Sequence, residues 1–260
     1  MRSLSFLTDN GVLPKPAEPE RAQRELDMWR HEAHTRSSDD PELAEFMSDI
    51  VAQDEGREFL QAVFGNSPFL SLGLRHDPTI LKRVTELGFD HTFEQLLTAL
   101  ADRQLWRQGR ADVMSGLRLA KRGVALAIAM ADIAGAWPLE KVCRSLSQFA
   151  EMSISIALNY LLFQAHKSEQ LLLANLESPE AGSGVVVLGM GKLGARELNY
   201  SSDIDLLVLF DGEKVNHRGS EGPQQGLHRM VRELVSLLGE RSADGYVFRT
   251  DMRLRPDPGA

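Results

Sequence analysis

The stretch Gly189-Met-Gly-Lys-Leu-Gly-Ala-Arg-Glu-Leu-Asn-Tyr-Ser-Ser-Asp-Ile-Asp-Leu206 decides the fold predicted for this chain. It follows Val185-Val-Val-Leu188, a run of β-branched residues that predicts a buried strand. The glycine-rich part predicts a turn that leads into a brief helix at residues 195–199. Ile204–Phe210 then predicts a second strand with its apolar side chains directed to the core.

Two aspartates at the start of the second strand are predicted to act together. Residues i and i+2 of a strand point to the same face, so the carboxylates of Asp203 and Asp205 project side by side. A third strand is predicted over Tyr246–Leu254, with Asp251 on its polar face. Carboxylate oxygens suit Mg²⁺, and three aspartates on neighbouring strands are typical of a two-metal site for phosphoryl transfer. The alternative is that Asp203 caps a strand and Asp251 pairs with a neighbouring arginine.

A phosphate site is predicted next to these carboxylates. The backbone N–H groups of Gly189–Gly194 lead into a helix N-terminus and can cradle an anion. Lys192 adds a positive charge there, and Arg253 and Arg255 place two more beside Asp251. A phosphate cradle, carboxylates and flanking cations together indicate nucleotide phosphoryl chemistry.

The same glycines also fit the G-x-G-x-x-G fingerprint of a dinucleotide-binding fold, with Asp211 about 20 residues further on. Only residues 195–202 separate the last glycine from Asp203, which is tight for a crossover of roughly a dozen residues. The fingerprint also leaves Asp203 and Asp205 unexplained. An NAD(P)-binding Rossmann-type oxidoreductase is therefore the alternative enzyme.

The rest of the chain divides by pattern into two segments. Residues 1–180 are predicted to form a mainly helical N-terminal region, and residues 181–260 a catalytic domain that is incomplete at its C-terminal end. Glu177–Gly184 is a turn-rich linker by composition. The predicted fold class is α+β.

Several helices are predicted within and after the first segment. The clearest starts after Trp137, because Pro138 suits a first helical position and an apolar stripe at steps of three and four follows it. Gln225–Gly239 is predicted to form a second amphipathic helix. The predicted breaks between helices lie near Ser37–Pro41, Gly65–Pro68, His76–Pro78 and Gly88–His91.

Composition excludes several classes of protein. The 260 residues are 43% hydrophobic and 25% charged, which is typical of a globular protein. The net charge of −8 argues against binding nucleic acid through its phosphates. The single cysteine, Cys143, excludes an intramolecular disulfide, and neither a signal peptide nor a membrane span is predicted. We therefore expect a cytoplasmic protein with no nucleic-acid or membrane partner.

Two motifs resemble a known family. Gly-Met-Gly-Lys-Leu-Gly-x-x-Glu-Leu-Asn-x-Ser-Ser-Asp-Ile-Asp-Leu at 189–206 and Asp251-Met-Arg-Leu-Arg-Pro256 are similar to those of the glutamine synthetase adenylyltransferase/adenylyl-removing enzyme family. The resemblance covers residues 185–256 directly, and the helices from about 100 to 176 resemble the family's segment before the catalytic domain. It implies a helical region followed by a truncated mixed-sheet domain of the DNA polymerase β-like nucleotidyltransferase superfamily.

The resemblance also implies site residues. By this resemblance, the catalytic carboxylates, which bind two Mg²⁺ ions, are Asp203, Asp205 and Asp251. The residues implied in binding the nucleotide or phosphate are Gly189, Gly191, Lys192, Gly194, Ser202, Arg253 and Arg255.

The activity implied is control of nitrogen assimilation by nucleotide transfer. The family attaches AMP from ATP to a tyrosine of glutamine synthetase and removes it by phosphorolysis, so ATP, ADP and inorganic phosphate are substrates or products. Glutamine synthetase and a nitrogen-signalling regulatory protein are the implied partners. The wording of the motifs and their place in the chain favour the half that removes AMP. The non-enzymatic alternative is a helical scaffold whose site is dead because the chain stops early.

Overall fold

The computed structural model describes residue 4, residue 7, and residues 13–220 and 222–252. A helical part comes first, as predicted, and a 3₁₀ turn at Leu105–Arg107 separates its fifth and sixth helices. None of the helices in these residues is long and apolar enough to cross a bilayer. The helices before the sheet are α1 (Pro19–Arg36), α2 (Pro41–Ala52), α3 (Asp54–Asn66), α4 (Pro68–His76), α5 (Thr79–Asp102), α6 (Arg110–Ile133) and α7 (Leu139–Lys167).

The helix boundaries follow local capping chemistry, and all of the predicted breaks are confirmed. Proline opens α2 and α4, where its missing N–H has no intrahelical partner to lose. The side chains of Asp40 and Ser67 cap these helices by accepting from the backbone N–H of Leu43 at 3.0 Å and of Leu70 at 3.2 Å. The break near Gly88 is a kink within α5, where that glycine has a φ of 82°.

The chain forms two compact units whose boundaries do not coincide with residue 180. One unit contains residues 1–96 and 122–142, and the other contains 97–121 and 143–260. The boundaries fall inside α5, α6 and α7, because these long helices each contribute residues to both units. Residue 180 therefore marks a change of secondary structure, and the division at 180 into two domains stays a prediction.

A mixed three-stranded sheet lies in the second unit, in the order β1 (Val185–Met190), β2 (Ile204–Phe210), β3 (Thr250–Asp251). Strands β1 and β2 are antiparallel, whereas β2 and β3 are parallel. The antiparallel β1–β2 pair argues against the Rossmann alternative, because that fold joins its first two strands by a parallel crossover.

The sheet has a packed face and an open face. Val185 is buried in a core with Leu158 and Leu162 of α7 and Leu227 of α9 (Pro223–Gly239). On the other face, alternate residues of β1 are exposed: Val186 by 51%, Leu188 by 40% and Met190 by 37%. The first strand is thus an edge strand with one covered face, rather than the fully buried strand expected from its composition.

Three further details of the predicted second segment were wrong. The short helix is α8 (Gly191–Gly194) rather than residues 195–199, because β1 extends through Met190 and the chain turns at once. Phe210 was expected in the core, but it ends β2 and is 42% exposed. The third strand was predicted over Tyr246–Leu254, yet the described strand is only Thr250–Asp251.

The short third strand has a physical cause. The backbone N–H groups of Val247 and Phe248 both donate to the carbonyl oxygen of Leu238, at 2.9 and 3.0 Å. Both side chains are buried, so the alternation of a strand is absent there. The N–H groups that would extend the ladder are used to bind the end of α9, and Leu254 lies outside the described residues. The amphipathic helix at Gln225–Gly239 is confirmed as α9.

Gly184, which precedes β1, provides a test of how the sheet starts. Its φ is 78°, and a Cβ there would lie 2.9 Å from the backbone nitrogen of Val215. Gly182 has a similar φ of 73°, but a Cβ there would have open space. We expect Gly182→Ala to lower the free energy of unfolding by about 1 kcal/mol, from the left-handed backbone alone.

Because of the close approach at Gly184, Gly184→Ala should lower the free energy of unfolding by a further ~1–3 kcal/mol. Urea denaturation of both variants, with matched slopes, measures the difference. Equal losses in the two variants would contradict the packing described for the start of β1.

Candidate functional site

Two of the predicted carboxylates lie on neighbouring strands at one end of the sheet. Asp205 of β2 lies directly opposite Asp251 of β3 in the parallel register. Asp205 also lies opposite Met190 of β1. Because residues opposite each other in neighbouring strands share a face, both aspartates lie on the open face with Met190. Ile204 and Leu206, on either side of Asp205, are fully buried on the packed face.

The third predicted carboxylate has a different partner. Asp203 precedes β2 and is about half exposed, and its Oδ1 accepts a hydrogen bond from Nε of Arg249 at 2.5 Å. The same guanidinium donates to the carbonyl oxygen of Ser201 at 3.1 Å. The backbone of Arg249 in turn accepts from the N–H of Ile204 at 2.9 Å. Arg249 therefore links the residues before β3 to the residues before β2.

The glycine-rich turn adjoins Asp205. Gly191 has a φ of 51°, and a Cβ there would lie 2.8 Å from Oδ2 of Asp205. Only glycine lets this carboxylate lie so close to the turn backbone. The first amides of α8 have no intrahelical acceptor, and Lys192 in that helix is exposed. Gly189 lies in β1 and Gly194 ends α8, so the predicted glycines bracket this single helical turn.

Ser202 is engaged in the next turn. Its Oγ donates to Oδ1 of Asn199 at 2.7 Å, and the same oxygen of Asn199 accepts from the backbone N–H of Ser201 at 3.2 Å. Asn199 therefore shapes the turn that delivers Asp203, a role that sequence reasoning missed. The signal was the Asn-Tyr-Ser-Ser sequence itself, because an asparagine side chain readily bonds the backbone two residues on. Arg253 and Arg255 lie outside the described residues.

The ligand chemistry fits a divalent cation only in part. Asp205 and Asp251 sit in register and offer hard oxygen ligands of the kind that Mg²⁺ prefers. Asp203 is instead held by Arg249. Within the described ranges, no three side chains of His, Cys, Asp or Glu are grouped as a metal site. The pair suits the cation, whereas the three predicted aspartates are not gathered around one point.

Asn199 gives a test of the turn before β2. We expect Asn199→Ala to lower the free energy of unfolding by about 1 kcal/mol, because two hydrogen bonds of the turn are lost. The matched control is Asn175→Ala, since Oδ1 of Asn175 accepts from the backbone N–H groups of Glu177 and Ser178 in a similar turn.

Both variants should lose similar stability in thermal denaturation. Only Asn199→Ala should shift and broaden the Nε–Hε resonance of Arg249 in NMR spectra, because Asp203 directly follows the altered turn. The same resonance change in both variants would contradict a local role for Asn199.

Comparison with known proteins identifies the family. The profile of the glutamate-ammonia ligase adenylyltransferase family matches residues 57–260. Among curated relatives, the bifunctional glutamine synthetase adenylyltransferase/adenylyl-removing enzyme of Rhizobium meliloti is 40% identical over 225 residues, covering 84% of this chain and 23% of the relative. The protein of the same name from Agrobacterium fabrum is 43% identical, covering 81% of this chain and 22% of the relative.

A third relative of that name, from a Bradyrhizobium species, is 38% identical and covers 95% of this chain and 24% of the relative. The chain thus spans about a quarter of the length of the curated relatives that it matches. The match extends through the helical part as well as the sheet, so it does not depend on the glycine-rich motif alone. The chain belongs to the glutamate-ammonia ligase adenylyltransferase family.

Proposed function

We propose that this chain is a nucleotidyltransferase half that acts on glutamine synthetase and removes AMP from an adenylylated tyrosine. The observation that carries the proposal is the in-register pair Asp205–Asp251 on an open sheet face, with the Gly191 turn against one carboxylate. The relatives' names supply the class of reaction and the protein substrate.

The proposed phosphate contacts are local to the end of β1. The first amides of α8 and the exposed ammonium of Lys192 can both bind phosphate oxygens. The open face leaves room for a nucleotide above Asp205, because the β1 residues beside it are uncovered. These groups orient the phosphorus for in-line attack, which accounts for much of the catalysis of phosphoryl transfer.

Asp205 and Asp251 are the residues that would hold Mg²⁺. The ion, when bound, neutralises charge on the phosphate oxygens. Asp203 can add a third oxygen ligand only if Arg249 releases it, and exposed ion pairs of this kind contribute about 0–1 kcal/mol. The pair with Arg249 is therefore weak enough to exchange.

The proposed direction is phosphorolysis. An oxygen of inorganic phosphate attacks the phosphorus of the AMP–tyrosine diester, and a new P–O–P bond forms to give ADP. The bond from phosphorus to the tyrosine oxygen breaks, and that oxygen takes a proton. Bringing a phosphate dianion to an anionic diester requires cations at the entrance, and Lys192 in the turn of Gly191 and Arg249 beside Asp203 supply positive charge there.

The carboxylate pair provides the first functional test. We expect Asp205→Asn and Asp251→Asn each to reduce nucleotide transfer at least a hundredfold, because each variant removes an oxygen anion at the reacting phosphate. Asp203→Asn should reduce it as well if the third carboxylate joins the site. Transfer is measured as labelled nucleotide released from adenylylated glutamine synthetase mixed with this chain.

The matched control is Asp211→Asn, because Asp211 follows the far end of β2 and its carboxylate pairs with Lys214. That variant should keep transfer within twofold of the unmodified chain. All variants should melt within a few degrees of it, since the carboxylates are partly exposed. Full activity in Asp205→Asn or Asp251→Asn would contradict the assignment.

The direction is tested separately with the two forms of the protein substrate. With adenylylated glutamine synthetase, we expect release of ADP that depends on added inorganic phosphate. With unmodified glutamine synthetase and labelled ATP, we expect no incorporation of AMP. Incorporation without phosphate-dependent release would reverse the direction, and transfer in neither assay would favour the scaffold alternative.

A further inference from the structure

Strand β3, which carries Asp251, is very short. It contains two residues, which pair with β2 as Ile204 with Thr250 and Asp205 with Asp251. So short a ladder specifies its register weakly, and a slip by one residue would move Asp251 to the other face of the sheet. Within the described residues, the connection that leads into the strand is the segment that can hold this register.

This connection is residues 240–249, between α9 and β3, and a buried arginine binds it. Arg118 of α6 is 1% exposed. Its Nε donates to the carbonyl oxygen of Gly245 at 2.9 Å, one terminal nitrogen donates to that of Glu240, and the other to that of Met114 at 2.8 Å. Burial lowers the pKa of Arg118, so keeping this cation buried has an electrostatic cost.

A partly buried lysine one turn further along α6 binds the same connection closer to β3. The ammonium of Lys121 donates to the carbonyl oxygen of Val247. It also lies 4.8 Å from the ring centroid of Tyr246 and 4.9 Å from that of Phe248, within the range of cation–π attraction. Burial, with a smaller contribution from Arg249, lowers the pKa of Lys121 to about 8, so the group remains largely protonated at neutral pH.

Neighbouring residues of α6 extend this contact. Oγ of Ser115 bonds the carboxylate of Asp244 at 3.2 Å, and Arg110 bonds the carboxylate of Glu240 at 3.0 Å. Placing a buried and a partly buried cation against carbonyl oxygens is costlier than packing apolar side chains of the same size. What the cations supply instead is a fixed position of the backbone, because each carbonyl is held at a defined distance.

We propose that Lys121 and Arg118 are positioning residues that set the register of β3 against β2 and so keep Asp251 beside Asp205. The catalytic consequence rests on the proposed function, whereas the register itself does not. The carbonyl that Lys121 binds is four residues before Asp251, so a shift of this anchor is passed directly to the carboxylate.

The test replaces Lys121 with methionine, which keeps an unbranched stem against the two rings and removes the donor. The matched control is Lys141→Met, because Lys141 also lies over an aromatic ring, at 4.6 Å from that of Trp137, and pairs with Asp90. Lys141 and both of its partners belong to the other compact unit.

The first readout is hydrogen exchange at the amide of Ile204, whose N–H donates to the carbonyl of Arg249. We expect Lys121→Met to speed this exchange at least tenfold. The exchange rates of the amides that pair β1 with β2 should change by less than twofold. Lys141→Met should change neither, and Lys121→Arg should restore most of the protection. Uniform acceleration across the sheet, or none at Ile204, would overturn the proposal.

The second readout separates positioning from stability. Lys121→Met should melt at or above the temperature of the unmodified chain, since a partly buried cation has been replaced by an apolar group. Its kcat for phosphate-dependent release should nevertheless fall at least tenfold, with the KM for adenylylated glutamine synthetase within twofold. An unchanged kcat alongside the altered exchange would overturn the link to Asp251.

The two proposals can fail independently. If the unmodified chain transfers no nucleotide, the proposed function fails, and the exchange pattern alone then decides whether Lys121 sets the register. If Lys121→Met lowers stability so far that exchange is global, Arg118→Lys provides the second variant. That substitution keeps the charge but cannot reach all three carbonyls, and it should accelerate Ile204 selectively; exchange as slow as in the unmodified chain would overturn the proposal.

Discussion

The parallel pairing of Asp205 with Asp251 is the constraint on which the rest of the second unit depends. Two like charges side by side repel each other, and a bound cation can offset that repulsion. The surrounding structure supports the pairing from three directions. Ile204 and Leu206 anchor β2 in the core, Gly191 leaves space beside the Asp205 carboxylate, and α6 holds the approach to β3.

The sheet separates packing from chemistry by face. The packed face of β1 and β2 is covered by α7 and α9, whereas the open face carries the carboxylates and a row of exposed apolar side chains. The connection that begins with α8 brings the chain from the end of β1 back to the start of the antiparallel strand β2. The backbone amides of α8 and the carboxylate of Asp205 therefore lie in one small region. A short connection between antiparallel strands thus places the turn amides beside the carboxylate, whereas a dinucleotide-binding fold uses a longer crossover between parallel strands.

Much of this arrangement was predictable from local pattern. Helix breaks followed from proline and capping residues, and β2 followed from alternation with buried Ile204 and Leu206. The length of the third strand was overestimated, because the alternating pattern at 246–254 is typical of a strand. In the structure, the N–H groups of Val247 and Phe248 donate to the carbonyl oxygen of Leu238 instead. The pairing of Asp203 with Arg249 could not be predicted from local pattern either, since it depends on which residues the register of β2 and β3 places side by side.

The roles of Arg118 and Lys121 show the same limit. Their spacing on one helix is visible in the sequence, but cations on a helix are usually solvated. Only the fold shows that both donate to carbonyl oxygens of the connection 240–249. Buried charge of this kind is a sign that backbone position matters at that place.

Paramagnetic broadening by Mn²⁺ tests the central claim most directly. With ADP present, Mn²⁺ in place of Mg²⁺ should broaden the backbone amide resonances of Gly191, Asp205 and Asp251 first, and Asp205→Asn should abolish that pattern. Broadening centred elsewhere in the chain, or an unchanged pattern in Asp205→Asn, would contradict a nucleotide site built on the Asp205–Asp251 pair.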